Sequence, residues 1–261
     1  MEKNHKKISI KNRYNKNIVL IVDEVDNPKG LSFIMHGLGG FKEQNHIVGF
    51  AETFNKNNIT TVRLDTTNTI GESDGKVENI SVKGSIEDLE DVIDWAKSQD
   101  FYMEPFFLAG HSMGGLCTIL YAEKHPEAVK GLAPIATNVS GELLFIYFPK
   151  EELAAWKKSG WQTRESKSKP RTTIRIPWSF MEEMLEYDVL DKLEKVNMPV
   201  VLIVGDKDDI SLPVQQKLYE KLKGQKELHM IRGATHCFRE DGALDEVKDY
   251  LDSWIKKHFN D

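Results

Sequence analysis

Gly110-His111-Ser112-Met113-Gly114 fits the pattern G-x-S-x-G, which sets a serine hydroxyl on a turn so sharp that neighbouring positions tolerate only hydrogen as a side chain. At glycine and serine frequencies of about 7 per cent, a bare match arises by chance in roughly one chain of this length in ten. The flanking residues must therefore carry the reading. Residues 105–109 form a short apolar run and residues 115–123 have helical character, the strand, turn and helix that expose such a hydroxyl. A serine hydroxyl is a poor nucleophile near neutral pH. It needs an imidazole to take its proton and a carboxylate to fix the imidazole's tautomer. Two later loops offer these groups. Val204-Gly205-Asp206-Lys207-Asp208-Asp209 ends one apolar run, and Gly233-Ala234-Thr235-His236-Cys237-Phe238 follows the next. The expected order along the chain is serine, aspartate, histidine, with His236 as general base.

An acyl-transfer site also needs donors for the oxyanion. His36-Gly37-Leu38-Gly39-Gly40 follows another apolar run, and such a loop can aim a backbone N–H at developing charge. The candidate donors are the main-chain N–H groups of Leu38 and Met113. His36, at a strand end, is read as a holder of this loop and not as the base. His5, His46, His111, His125, His229 and His258 are read as surface or packing residues, and Cys237 as packing beside His236. Cys117 and Cys237 are too few for a disulfide framework and lack metal-ligand spacing, so neither a metal nor a cofactor is expected.

These loops must be held by something, and the pattern around them is an alternation of strands and helices. Residues 7–34 contain three runs rich in β-branched and aromatic residues, separated by turn-formers. Helical spacing follows at 44–55, 85–97, 115–123, 213–223 and 244–258, with Ser85 read as an N-cap. Strands are read at 60–64, 105–109, 129–135, 199–204 and 227–231. The expected fold class is α/β, a mostly parallel twisted sheet with helices on both faces and function at the carboxyl ends of its strands. The alternation fails between about Thr137 and Asp191, where three of five tryptophans and a polar run over 163–173 fall. The expected organisation is a core of residues 1–136 and 192–261 with a cap inserted at 137–191.

The composition excludes several function classes. With 35 Lys and Arg against 41 Asp and Glu, the net charge is −6, the wrong sign for a nucleic-acid partner. No apolar stretch follows the basic residues of 1–17 as a signal peptide would require, and no window approaches a membrane span. A cytoplasmic, reduced protein acting on a small molecule is expected.

On the His36–Gly40 loop, Asn45-His46-Ile47-Val48, Gly71-Glu72-Ser73-Asp74-Gly75, the serine turn and the two acid and base loops, the chain resembles the α/β-hydrolase superfamily. Within it, the chain is similar to small bacterial cinnamoyl and feruloyl esterases. The resemblance covers nearly the whole chain. It implies a serine esterase with Ser112 as nucleophile and the acid in a G-x-x-D arrangement, which falls on Asp208 beyond Gly205; Asp206 and Asp209 remain alternatives. It also implies a cap over the site. There Trp156, Trp161 and Trp178, with Phe145, Tyr147 and Phe148, are candidates to line an acyl pocket or to build the cap's own core. The basic residues Arg164, Lys167, Lys169, Arg171 and Arg175 would meet a carboxylate-bearing substrate or simply be solvated. One departure from relatives stands out: at 65–75 a D-x-x-G-x-G-x-S-x-G run is expected, yet Thr69 replaces its first glycine and the run is one residue longer. The bend of this loop, and so the pocket shape, is expected to differ.

Overall fold

The computed structural model describes residues 4–259; residues 1–3 and 260–261 of the expected core lie outside the described residues. The chain begins with an antiparallel pair, β1 (Asn4–Lys11) and β2 (Asn17–Glu24). Asn12 closes their turn by accepting the N–H groups of Tyr14 and Lys16 on its side-chain oxygen. Next come β3 (Gly30–Met35), α1 (Asn45–Lys56), β4 (Ile59–Leu64), α2 (Val82–Ala96), β5 (Phe106–His111), α3 (Met113–Lys124) and β6 (Val129–Ile135). After an insertion, β9 (Val200–Gly205), α7 (Ser211–Lys221), β10 (Lys226–Ile231) and α8 (Ala243–Phe259) complete the chain. The strands make one eight-stranded sheet in the order β1-β2-β4-β3-β5-β6-β9-β10. All of its pairings from β4 onward to β10 are parallel.

Every residue of β3, β4, β5 and β9 is buried, as parallel strands covered on both faces must be. The strand period of two divides them between two cores. Phe33 and Leu108 face a layer with Leu89, Val92 and Leu116 of α2 and α3. Ile34 and Phe107 face the opposite layer, with Phe50 and Phe54 of α1 and Leu251 and Trp254 of α8.

The second helix begins one turn earlier than its sequence pattern suggests. Ser81, not Ser85, is the N-cap, its side chain accepting the Gly84 N–H at 2.9 Å, while Ser85 Oγ donates back to the Ser81 carbonyl inside the first turn. Both serines suit a cap, and the choice falls to the one whose preceding backbone is extended.

Between β6 and β9 the chain forms α4 (Gly141–Tyr147), α5 (Lys150–Ser159), the antiparallel hairpin β7 (Trp161–Glu165) and β8 (Thr173–Pro177), and α6 (Trp178–Met184). A bridge between Ser140 and Asp188 closes the segment's two ends. The polar run of 163–173 is therefore one arm and the tip of a hairpin. Only Ile174 and Ile176 of that hairpin point inward, where they join the core shared with α2 and α3.

Glu123, on α3, is buried and leaves Oε1 without a partner among the described residues. Burial pushes its carboxyl up from 4.5 to about 7. A raised carboxyl means the folded chain holds a proton that the unfolded chain has released, so its stabilisation is present at low pH and lost as pH rises from about 4.5 through 7. At about 1.36 kcal/mol per unit, Glu123→Gln should be up to about 3 kcal/mol more stable than wild type at pH 8 and no more stable at pH 4.5. Urea unfolding at the two pH values measures this; parallel stability profiles would rule out a buried neutral Glu123.

Candidate active site

The central strand β5 runs into α3 with a single residue between them. That residue, Ser112, has φ 55° and ψ −119°, a left-handed conformation that only a crowded, over-determined turn maintains in a non-glycine residue. The crowding is explicit. A Cβ on Gly110 would strike the backbone of Gly114 and Gly115, and one on Gly114 would strike the carbonyl oxygens of Met35 and His36. The Ser112 N–H donates to Ile135 O at 3.0 Å, and the Ser112 carbonyl accepts from Gly115, Leu116 and Thr137 Oγ1. With its backbone so pinned, the side chain opens on a cavity of about 510 Å³ that His236 and Asp208 also line. Among the described residues the Ser112 hydroxyl makes no hydrogen bond.

Of the three aspartates after β9, Asp208 meets the histidine. Its Oδ2 lies 2.7 Å from His236 Nδ1, and its Oδ1 accepts the Ser211 N–H at 3.0 Å. A carboxylate only accepts, so Nδ1 carries the proton and Nε2 is left as a base. Burial opposes the Asp208 charge, but the hydrogen bond and electrostatic attraction of His236 and the Ser211 donors outweigh it and hold the carboxyl below its ordinary value. Ser211 Oγ, 3.2 Å from Nδ1, adds a second polar neighbour to the ring. Asp206 does different work: Oδ1 accepts the Gly233 N–H at 2.7 Å and joins the two loops. Asp209 is exposed.

His36 has both ring nitrogens committed. Nε2 accepts the Thr66 N–H at 3.1 Å, which fixes the proton on Nδ1, and Nδ1 donates to Gly37 O at 2.8 Å. Burial pushes its pKa down. His111 Nε2 donates to the His236 carbonyl at 2.8 Å and so ties the serine turn to the histidine loop. Burial also drives His111 well below its ordinary range and His46 down to about 3.

Leu38 and Met113 both line the cavity. Among the described residues, neither backbone N–H has an acceptor, so two adjacent donors are open beside Ser112. The loop bearing Leu38 is anchored by a buried cation. Lys42, fully buried, lies 2.8 Å from Asp65 and 2.5 Å from Glu72. Asp65 also accepts the backbone N–H groups of Lys42 and Glu72, and Thr69 Oγ1 donates to Gly40 O. The longer 65–75 loop is thus folded onto the loop of 37–44, with Thr69 supplying one of the ties.

Of the three tryptophans, only Trp156 lines the cavity, its Nε1 donating to Ile176 O at 3.0 Å. Trp178 packs edge-on against Trp156 and Phe145, and Trp161 lies under the Arg175 guanidinium. Neither reaches the cavity wall, because hairpin register and helix packing turn both rings aside. Leu144, Phe148, Phe180, Met181 and Ile174 complete the apolar wall. Asn138, Gln44, Ser211 and Arg239 also line the cavity, and no local motif marks them. Arg239 carried one weak signal, its place three residues after His236. Among the described residues no cluster of His, Cys, Asp and Glu has the makings of a metal site.

A sequence model of the family described as serine aminopeptidase, S33, matches residues 26–242. An uncharacterized 31.7 kDa protein from the traX-finO intergenic region of Escherichia coli is 27% identical over 87% of this chain and 91% of its own length. The mitochondrial palmitoyl-protein thioesterase ABHD10 of Mus musculus is 31% identical over 57% of this chain and 48% of its own length. Among solved structures, ferulic acid-bound Est1E from Butyrivibrio proteoclasticus matches with a TM-score of 0.81 at 23% identity, covering 97% of this chain and 100% of that one. The mouse alpha/beta hydrolase domain-containing protein 10 matches with a TM-score of 0.77 at 22% identity, covering 97% and 99%. At these identities the structural likenesses establish the fold.

The Lys42 anchor makes a stability prediction. Removing one partner of a buried ion pair leaves the other charge uncompensated and costs about 3–5 kcal/mol. Lys42→Met should lose that much in denaturant unfolding, and the double variant Lys42→Met with Asp65→Asn should recover part of it. A single-variant loss below about 1 kcal/mol would show that the pair does not hold the loop.

Proposed function

The chain belongs to the serine aminopeptidase S33 family of hydrolases and has the α/β-hydrolase fold, and from that premise we propose that it cleaves carboxylic esters through an acyl-enzyme on Ser112. The observation that carries this reading is the Asp208–His236 hydrogen bond of 2.7 Å at the rim of a cavity that opens on the serine turn. His236 Nε2 takes the hydroxyl proton as Ser112 Oγ bonds to the ester carbon, and the carbonyl oxygen becomes an oxyanion facing the N–H groups of Leu38 and Met113. The C–O bond to the alcohol then breaks, and the alcohol leaves with the proton from His236. Water then bonds to the acyl carbon as His236 takes its proton, the bond from that carbon to Ser112 Oγ breaks with His236 returning the proton to Oγ, and the carboxylic acid leaves. Nothing in these steps calls for a cofactor.

The acyl group proposed is a short chain or a hydroxycinnamoyl unit seated against Trp156, Phe148 and Phe180. Residues 137–191 would act as its cap. The thioesterase name of ABHD10 makes a thioester a second reading, which the same apolar wall accommodates. Aminopeptidase action, which the family description names, is less suited to this cavity: a free α-ammonium needs a carboxylate, and the wall presents Arg164, Lys167 and Arg239 with Asp208 already engaged. The two free thiols suit a reducing compartment, and we place the protein in the cytoplasm. No helix among the described residues is long and apolar enough to cross a membrane.

Ser112→Ala should abolish hydrolysis of para-nitrophenyl butyrate with thermal unfolding unchanged. Asp208→Asn should lower kcat by up to about ten-thousand-fold, the scale seen when an amide imposes the wrong tautomer, while Asp209→Asn has little effect. Turnover by purified Ser112→Ala protein above a trace would sink the mechanism. Trp156→Ala should reorder kcat/KM between butyryl and feruloyl esters by about tenfold or more, since a methylene-sized contact alone is worth about 1–3 kcal/mol. Trp161→Ala should scale both esters alike, and the opposite pattern would reverse the assignment of the acyl wall.

A further inference from the structure

The catalytic cavity has two unlike walls. One is apolar and comes from the insertion. The other gathers Arg164 from β7, Lys167 from the hairpin tip and Arg239 from the histidine loop. All three are exposed at the cavity mouth, and none has a carboxylate within 4 Å among the described residues, whereas the buried cations Lys42 and Arg63 are paired with Asp65 and Asp23. Asp208 is the one carboxylate lining the cavity, and His236 engages it. In a chain of net charge −6, this wall is a local excess of positive charge.

The two guanidiniums are held but not saturated. Arg164 Nη2 donates to Leu38 O at 3.3 Å, and Arg239 Nη2 donates to Ser168 Oγ at 2.7 Å, with Gln44 Nε2 reaching the same hydroxyl at 3.1 Å. Most of each fork's donors remain open, and a planar fork matches a carboxylate in geometry as well as charge. The Arg164 side chain is exposed, yet the groups packed round its guanidinium desolvate it enough to lower its pKa. Cys237 lines the same cavity near both arginines and supplies no counter-charge, since burial pushes its thiol pKa up.

We propose that Arg164 and Arg239 bind a carboxylate on the leaving group, so that the substrates of this site are esters of a carboxylate-bearing alcohol or phenol. The leaving group is assigned because it departs with the proton from His236, and Arg239 stands on the same loop three residues later, whereas the apolar wall is free for the acyl chain. This rests on ester hydrolysis at Ser112, and the test separates the two.

Matched esters would be compared: para-carboxyphenyl butyrate against para-carbamoylphenyl butyrate for the leaving group, and para-nitrophenyl hemiglutarate against its terminal amide for the acyl group. The expected result is that the acid-to-amide ratio of kcat/KM for the leaving-group pair falls at least tenfold in Arg164→Gln with Arg239→Gln, and not in Lys248→Gln on the distant helix α8. Binding of para-hydroxybenzoate and para-hydroxybenzamide to Ser112→Ala protein, by calorimetry, reads the same wall without turnover. The acid should bind at least tenfold more tightly, and the arginine variants should erase the difference. If all these esters resist hydrolysis while arginine-dependent binding persists, the esterase reading fails and the carboxylate site stands. Equal ratios and equal binding in wild type and the double variant would overturn the site. An arginine-dependent ratio confined to the hemiglutarate pair would overturn its assignment to the leaving group.

Discussion

The backbone of Ser112 is the constraint on which the rest of the site depends. A non-glycine residue at φ 55° costs roughly 1–3 kcal/mol, and three strands combine to impose it. β5 delivers the residue, β6 receives its N–H at Ile135, and the end of β3 lies so close that only glycine fits at position 114. That last approach also sets the place of the oxyanion loop, because the carbonyls that crowd Gly114 belong to Met35 and His36, immediately before Gly37 and Leu38. The Ser112 turn and the open N–H groups of Leu38 and Met113 are therefore set by one packing event. The serine turn cannot form without drawing the loop of 36–40 alongside it.

Asp208 and His236 reach this turn by a different route, through polar ties between loops. His111, inside the serine turn, donates to the carbonyl of His236, and Asp206 fastens the aspartate loop to Gly233 at the start of the histidine loop. His111 and His236 line the cavity, with His36 and His46 behind the wall, and burial separates them. His36, His46 and His111 are pushed toward the neutral form, and both nitrogens of His36 are spent on structure. His236, with 41% of its side chain exposed, has Nδ1 against the Asp208 carboxylate and Nε2 without a partner among the described residues. Desolvation thus sorts the histidines as firmly as distance does.

The parts of this arrangement that sequence made legible are those built from contiguous residues. A G-x-S-x-G turn between an apolar run and a helix, a glycine-rich loop after a strand, and aspartates and a histidine after two later strands each announce themselves locally, and strand alternation supplies the frame. Between Asp206, Asp208 and Asp209, only the family resemblance favoured Asp208, since three neighbouring carboxylates look alike until β9 ends and the turn aims one of them. The hairpin at 161–177 was illegible because Thr163, Arg164 and Glu165 are all exposed, which leaves β7 without the period of two that marks a half-buried strand. Trp161 and Trp178 drew attention by size. Their directions depend on hairpin register and helix packing, which composition does not encode. Arg239 was missed because its role depends on a hairpin that arrives from seventy residues earlier to set Ser168 against it.

The two walls of the cavity differ in what they owe to folding. Trp156, Leu144, Phe180 and Met181 are buried and belong to the same continuous core as Leu89 and Leu116, so reshaping the apolar wall also repacks the domain, at the several kcal/mol that large core truncations cost. Arg164, Lys167 and Arg239 are exposed and enter no ion pair among the described residues, and surface changes of that kind usually lie within about 0.5 kcal/mol. A change in the shape of the apolar wall is consequently tied to stability, while a change in the charge of the basic wall is nearly free of it.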